Sequence, residues 1–388
     1  MGILYKNIRI NLNAALTAEG KDMKKIYNFS TAPTALPEEV VEKIKSSFDN
    51  YRKSGMAVAE LPSTSREYKE IFTHTEKLLR ELMNIPQSYK VLFMQGNCAA
   101  QHSAIPLNLL SDHKCADYVV TGQVSKNASI EAKKYGDIAI AASSAGAMPT
   151  FSTVPDMKRS DFRPDADYVY ICYNNTIYGT KFTYVPDTGN IPLVADMSSI
   201  LLTEPIELSK FGLIYANAEC GIGVPGLTLV ILREDLLSNA RASTPSIINY
   251  KKNDSDYILR NTASVFSVYT AMLVFEWIKA AGGVEGMKSR NYKKASLIYD
   301  YLDTQTYYTA PVDKKCRSTA NVVFVTGDAA LDKKFIKEAK AEGLINLAGH
   351  SSLGGMNAAI SNAMPYEAVE KLVAFMKKFA QTNLKLEN

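Results

Sequence analysis

The stretch Tyr215-Ala-Asn-Ala-Glu-Cys-Gly-Ile-Gly-Val-Pro-Gly-Leu-Thr-Leu-Val-Ile-Leu232 decides how the chain is read. It opens as the end of a buried strand, passes through a loop of small residues, and re-enters a strand at Leu227–Leu232. Gly221, Gly223 and Gly226 let the backbone turn tightly and approach a ligand closely. Cys220 sits at the centre of the loop, with Glu219 before it.

Working upstream, apolar strand patterns recur at Gly212–Ala216, Leu193–Asp196, Tyr168–Tyr173, Asp137–Ala142, Tyr118–Thr121 and Tyr89–Met94. Helical spacing separates several of them. Ser125–Tyr135 is one case, and a helix from Arg66 carries Ile71, Leu78, Leu79 and Leu82 on one face. Pro37, followed by Glu38 and Glu39, predicts a helix start there, with an end near Tyr51. This alternation predicts an α/β fold whose mainly parallel sheet is covered on both faces. Ligands then belong at the carboxyl ends of the strands. Asn174-Asn-Thr176, Asp196-Met-Ser-Ser199 and Asn217–Gly223 all fall at such ends. The turn Gln95-Gly-Asn-Cys-Ala-Ala-Gln101 joins a strand to a helix start, an arrangement that suits an anion.

Beyond Thr262 the pattern changes. Val265–Ala280 reads as a long helix bearing Trp277, the only tryptophan, and Gly282-Gly283 breaks it before a second helix over Val284–Tyr301. A strand at Asn321–Val325, a helix at Lys333–Ala341, a glycine-rich turn at Gly349–Gly355 and a closing helix at Tyr366–Gln381 complete a smaller α+β unit. The expected organisation is a large domain over 38–283 and a small C-terminal domain formed by 24–37 with 284–388. Residues 1–23 form a detached extension or an over-long start. They lack the apolar run of a secretion signal, and Lys6 stands where myristoylation requires Ser or Thr.

Bulk properties narrow the class. A net charge of +4 with scattered basic residues gives no nucleic-acid footprint. Five cysteines without CxxC spacing argue against a disulfide framework or a structural zinc site, and suit a reducing, cytoplasmic setting. No apolar run reaches the ~20 residues of a membrane span.

Taken together, Tyr27-Asn-Phe-Ser, Pro86–Phe93, Ile105-Pro-Leu-Asn108, Glu131-Ala-Lys-Lys-Tyr135, Asn174-Asn-Thr-Ile-Tyr-Gly179, Ala195-Asp-Met-Ser-Ser199, Gly226-Leu-Thr, Asn261-Thr262 and Asn362-Ala-Met-Pro365 resemble the phosphoserine aminotransferase family. The resemblance runs from Ile26 to the last helix. It implies the aspartate-aminotransferase-like fold of pyridoxal-phosphate-dependent transferases. It also implies amino transfer between phosphoserine and 2-oxoglutarate in serine biosynthesis, and a homodimer with shared sites. By resemblance, Asp196 pairs with the cofactor's pyridinium nitrogen, Thr176 bonds to its ring, and Cys98 and Ala99 offer backbone N–H groups to its phosphate. Asn261 and Thr262 reach that phosphate across the dimer, and His350 contacts substrate.

The sequence departs from the family at the chemistry. The family places its Schiff-base lysine in a Gln-Lys loop, where this chain has Glu219 and Cys220. A thiol cannot form an imine and does not replace the amine that shuttles the proton. Val124 takes the position of a tryptophan stacked on the cofactor ring. The substrate-binding Ser-His-Arg becomes Pro62-Ser63-Thr64, with Arg66 two positions on, and two further arginine positions are Ser351 and Asn357. Bidentate arginines hold carboxylates and phosphates in ways serine and asparagine do not. Scaffold positions are kept while amine, aromatic and arginines are absent together. The expectation is a homologue without this transaminase activity, a binding or regulatory paralogue that dimerises with itself or with an active copy. The alternative is an enzyme of altered chemistry or substrate. Several residues keep two readings. Cys220 is a nucleophile or a buried filler of a vacated site. Asp196 is a cofactor partner or a helix cap, and Asn261 and Thr262 are phosphate ligands or caps. His350 is a ligand contact or part of the turn. A metal held by Cys98, Cys220, Glu219 and His102 is disfavoured by irregular spacing.

Overall fold

A computed structural model describes residues 25–111, 113–254 and 263–384. The extension at 1–23 and the pair Asn261 and Thr262 lie outside the described residues.

The apolar runs form one seven-stranded sheet. In chain order its strands are β1 (Tyr89–Gln95), β2 (Cys115–Val120), β3 (Asp137–Ser143), β4 (Tyr168–Cys172), β5 (Leu193–Asp196), β6 (Leu213–Asn217) and β7 (Leu227–Arg233). Their spatial order is β1-β7-β6-β5-β4-β2-β3. Only β7 runs antiparallel to its neighbours. The reason is the loop quoted above: a turn of about nine residues returns the chain beside β6, whereas every parallel pair needs a crossover. β2, β4, β5 and β6 are buried throughout, as a sheet covered on both faces requires.

Four helices belong to this layer: α1 (Glu38–Ser47), α2 (Arg66–Met83), α3 (Cys98–Leu109) and α4 (Gln123–Ala132). α1 stops four residues short of the expected Tyr51. Ser46 and Ser47 turn their hydroxyls back onto the carbonyls of Lys43 and Ile44, and the left-handed residues Arg52 and Lys53 then reverse the chain. α2 starts on Ser65, whose hydroxyl accepts the Tyr68 N–H, and ends on left-handed Asn84. Its buried face of Tyr68, Ile71, Phe72, Leu78 and Leu79 joins the same core as Val268, Met272 and Phe275 of α5 (Val265–Ala280).

A second core closes the C-terminal unit. α6 (Gly283–Asp303), β8 (Asn321–Phe324), α7 (Ala329–Ala341), β9 (Met356–Ala359) and α8 (Tyr366–Leu384) pack around Phe324, Phe335, Leu372 and Phe379. Phe29 enters this core because Tyr27–Asn28 pairs in parallel with Leu344–Ile345. The N-terminal segment is thereby tied to the far end of the chain. Among the described residues no single helix is long and apolar enough to cross a membrane.

Candidate active site

Strand register builds the site. Cys172, Asp196 and Tyr215 stand side by side across β4, β5 and β6. Asn217, at the end of β6, faces Thr228 of β7. Thr176, Glu219 and Cys220 follow these strand ends, and α3 and α4 begin just beyond β1 and β2. The topology therefore brings Cys98, Ala99, Val124, Thr176, Asp196, Glu219 and Cys220 to one edge of the sheet. His350 is exposed in its own turn, where its Nδ1 meets the Ser352 hydroxyl at 2.8 Å and accepts the Ser352 N–H at 3.2 Å.

Asp196 is the most constrained of the group, at 4% exposure. Its Oδ1 accepts the Ser198 N–H at 2.9 Å and the Ser198 hydroxyl at 2.6 Å. Its Oδ2 accepts the Tyr215 hydroxyl at 2.9 Å, and Tyr215 in turn lies 2.8 Å from the Tyr170 hydroxyl. Tyr215 and Tyr170 went unremarked as site residues in the sequence. Their signal is the register that sets Tyr215 opposite Asp196.

The electrostatics are one-sided. Burial pushes the Cys98 thiol up to about 11, and the Asp196 charge adds to it. Burial raises Cys220 further, reinforced by Glu219 and Asp196, and Cys172 is likewise held well above its usual range. Burial pulls His102 below its usual value, against the opposing pull of Asp196 and Glu131. Among the described residues, the charged groups that bear most strongly on Cys98, Cys220 and His102 are carboxylates and thiols. Among the described residues, the buried polar side-chain atoms without a hydrogen-bond partner include Glu219 Oε2 and His102 Nε2. Neutral thiols are weak nucleophiles, so the arrangement favours Cys220 as filler. The four-residue cluster considered for a metal is not set up to hold one, and no other group among the described residues is.

The anion-binding elements are committed elsewhere. The Ala99 N–H is donated to the Asn97 side chain at 3.1 Å, so α3 caps itself. Asn357 is turned inward: its amide donates to the Thr176 carbonyl at 2.8 Å, and its oxygen accepts from Asn321 at 3.0 Å. Asn321 donates to the same carbonyl at 2.8 Å. Arg66 is exposed and paired with Glu70 at 2.7 Å. Val124 is half-buried in the first turn of α4, and too small to stack on a ring. Asp196 suits a protonated ring nitrogen, but no amine stands in the loop over it. These residues do not fit a covalently held pyridoxal phosphate.

Residues 26–372 match the family model described as aminotransferase class-V. A phosphoserine aminotransferase of Nitrosomonas europaea is 46% identical over 369 residues, covering 93% of this chain and 100% of the relative. Among solved structures, phosphoserine aminotransferase from Bacillus circulans subsp. alkalophilus superposes with a TM-score of 0.87 at 38% identity, over 93% of this chain and 100% of that one. The pyridoxal-phosphate-bound phosphoserine aminotransferase of Trichomonas vaginalis gives 0.83 at 32% identity, over 91% and 100%.

Proposed function

The chain belongs to the class-V aminotransferase family, and from that membership we propose that it is a phosphoserine aminotransferase homologue that no longer transfers amino groups and serves as a binding or regulatory protein. The observation carrying this reading is the charge at the site. Cys220 occupies the loop where the amine belongs, and the charges acting on it come from Glu219 and Asp196. A phosphorylated cofactor or substrate needs compensating cations, and the positions where the resemblance implies arginine hold Thr64, Ser351 and an Asn357 bonded inward.

Asp196 has its carboxyl group oriented by Ser198 and Tyr215, placed to accept an N–H from a heteroaromatic ligand held non-covalently. On this reading the protein assembles as a dimer, with itself or with an active paralogue, and acts in the cytoplasm.

Turnover decides the matter. Wild type and Cys220→Lys are assayed with pyridoxal phosphate, phosphoserine as donor and 2-oxoglutarate as acceptor. Wild type is expected to show no amino transfer. Cys220→Lys is expected to regain cofactor linkage without substantial turnover, because the arginines are still missing. Wild-type turnover above the rate of free cofactor refutes the proposal.

A further inference from the structure

Away from Asp196, a cavity of about 800 Å3 opens where the two cores meet. One wall is α6, presenting Arg290, Lys293 and the stem of Lys294. The first turn of α1 also lines the cavity, with the exposed Glu38 and Glu39. Trp277 of α5 and Met364 supply apolar surface.

The charges on the two helices do not neutralise each other. Among the described residues, Arg290 and Lys293 have no carboxylate within ion-pair distance, and Glu38 and Glu39 have no cation there. Lys294 is held back at 2% exposure, its ammonium donating to the Met364 carbonyl at 2.9 Å and the Asn362 carbonyl at 3.4 Å. That anchor fixes the 362–364 segment and leaves Arg290 and Lys293 to face the opening. A pocket of this size, with an aromatic platform and few converging polar groups, falls within the range of small-molecule sites. Cations and carboxylates that line one cavity without pairing complement a ligand bearing both charges.

We propose that this cavity binds a free α-amino acid with an aromatic or bulky apolar side chain. Its carboxylate lies on Arg290 and Lys293, its ammonium faces Glu38 and Glu39, and its side chain packs on Trp277 and Met364. The site is independent of the chemistry assigned to the Asp196 edge.

Trp277 is the sole tryptophan, so its emission reports on this cavity alone. The full chain is titrated with L-phenylalanine while Trp277 is excited selectively. The expected result is a saturable change. Phenethylamine, which lacks the carboxylate, and 3-phenylpropionate, which lacks the amine, are each expected to bind at least about ten-fold more weakly. Arg290→Met/Lys293→Met, at two exposed positions, is expected to weaken L-phenylalanine by at least about ten-fold. Its circular dichroism is expected to be unchanged, and its urea midpoint at neutral pH no lower than that of wild type, since removing Arg290 relieves its push on Lys294. The proposal is overturned by no saturable change up to about 10 mM. It is equally overturned if either single-charge analogue matches L-phenylalanine, or if the double variant binds as wild type does.

Discussion

Replacing Asn357 by alanine probes whether an arginine position has been rebuilt as part of the interior. Asn357 is 7% exposed and makes two neutral hydrogen bonds, one to the Thr176 carbonyl and one from Asn321. Each is worth about 1 kcal/mol net. Truncation also leaves one Asn321 N–H buried without an acceptor, a penalty of about 1–3 kcal/mol. The Thr176 carbonyl keeps its bond from Asn321, so it adds nothing further. Asn357→Ala is therefore expected to lose about 3–5 kcal/mol, read as a fall in the urea midpoint at unchanged slope. Asn357→Arg introduces the residue the resemblance implies at this position but breaks the same bonds, and it is expected to be no more stable than the alanine variant. A double-mutant cycle with Asn321→Ala should return a coupling of about 1 kcal/mol. If Asn357→Ala stays within about 0.5 kcal/mol of wild type, the inward network is not a structural substitute for an anion-binding arginine.

Two further outcomes follow from the geometry. Tyr215→Phe removes the hydroxyl that donates to Asp196 and contacts Tyr170, and a loss of about 1–3 kcal/mol in urea unfolding is expected; a loss under about 0.5 kcal/mol contradicts the role given to that bond. Burial, with a smaller push from Arg290, pulls Lys294 down from 10.5 to about 7. Between those values the unfolded chain binds more protons than the folded one, so stability rises with pH across that window and is flat below it. Lys294→Met is expected to abolish the rise in melting temperature between about pH 7 and about pH 9.5, and an unchanged slope rules out Lys294 as its source.

Much of the fold was legible because the sheet is buried on both faces, and its strands read as apolar runs separated by helical spacing. Asp196 was placed correctly at a strand end for the same reason. The end of α1 was not legible, since it depends on two serine hydroxyls competing for helix carbonyls and on a left-handed turn at Arg52 and Lys53. At the site, the sequence shows Cys220 in the glycine-lined loop, whereas the inward bonding of Asn357 was not legible. Its partner is a backbone carbonyl 181 residues away, and no local pattern records such a bond. Arg66 illustrates the converse: proximity in sequence suggested a substitute for the lost arginine, but Glu70 one helical turn on takes its guanidinium.

On the proposed reading, no cofactor is held through a lysine at the Asp196 edge. Wild-type protein is incubated with pyridoxal phosphate, treated with borohydride, digested and mapped by mass. The account predicts no stoichiometric pyridoxyl adduct on any lysine at that edge, and no visible band abolished by reduction. A stoichiometric reducible adduct there contradicts it.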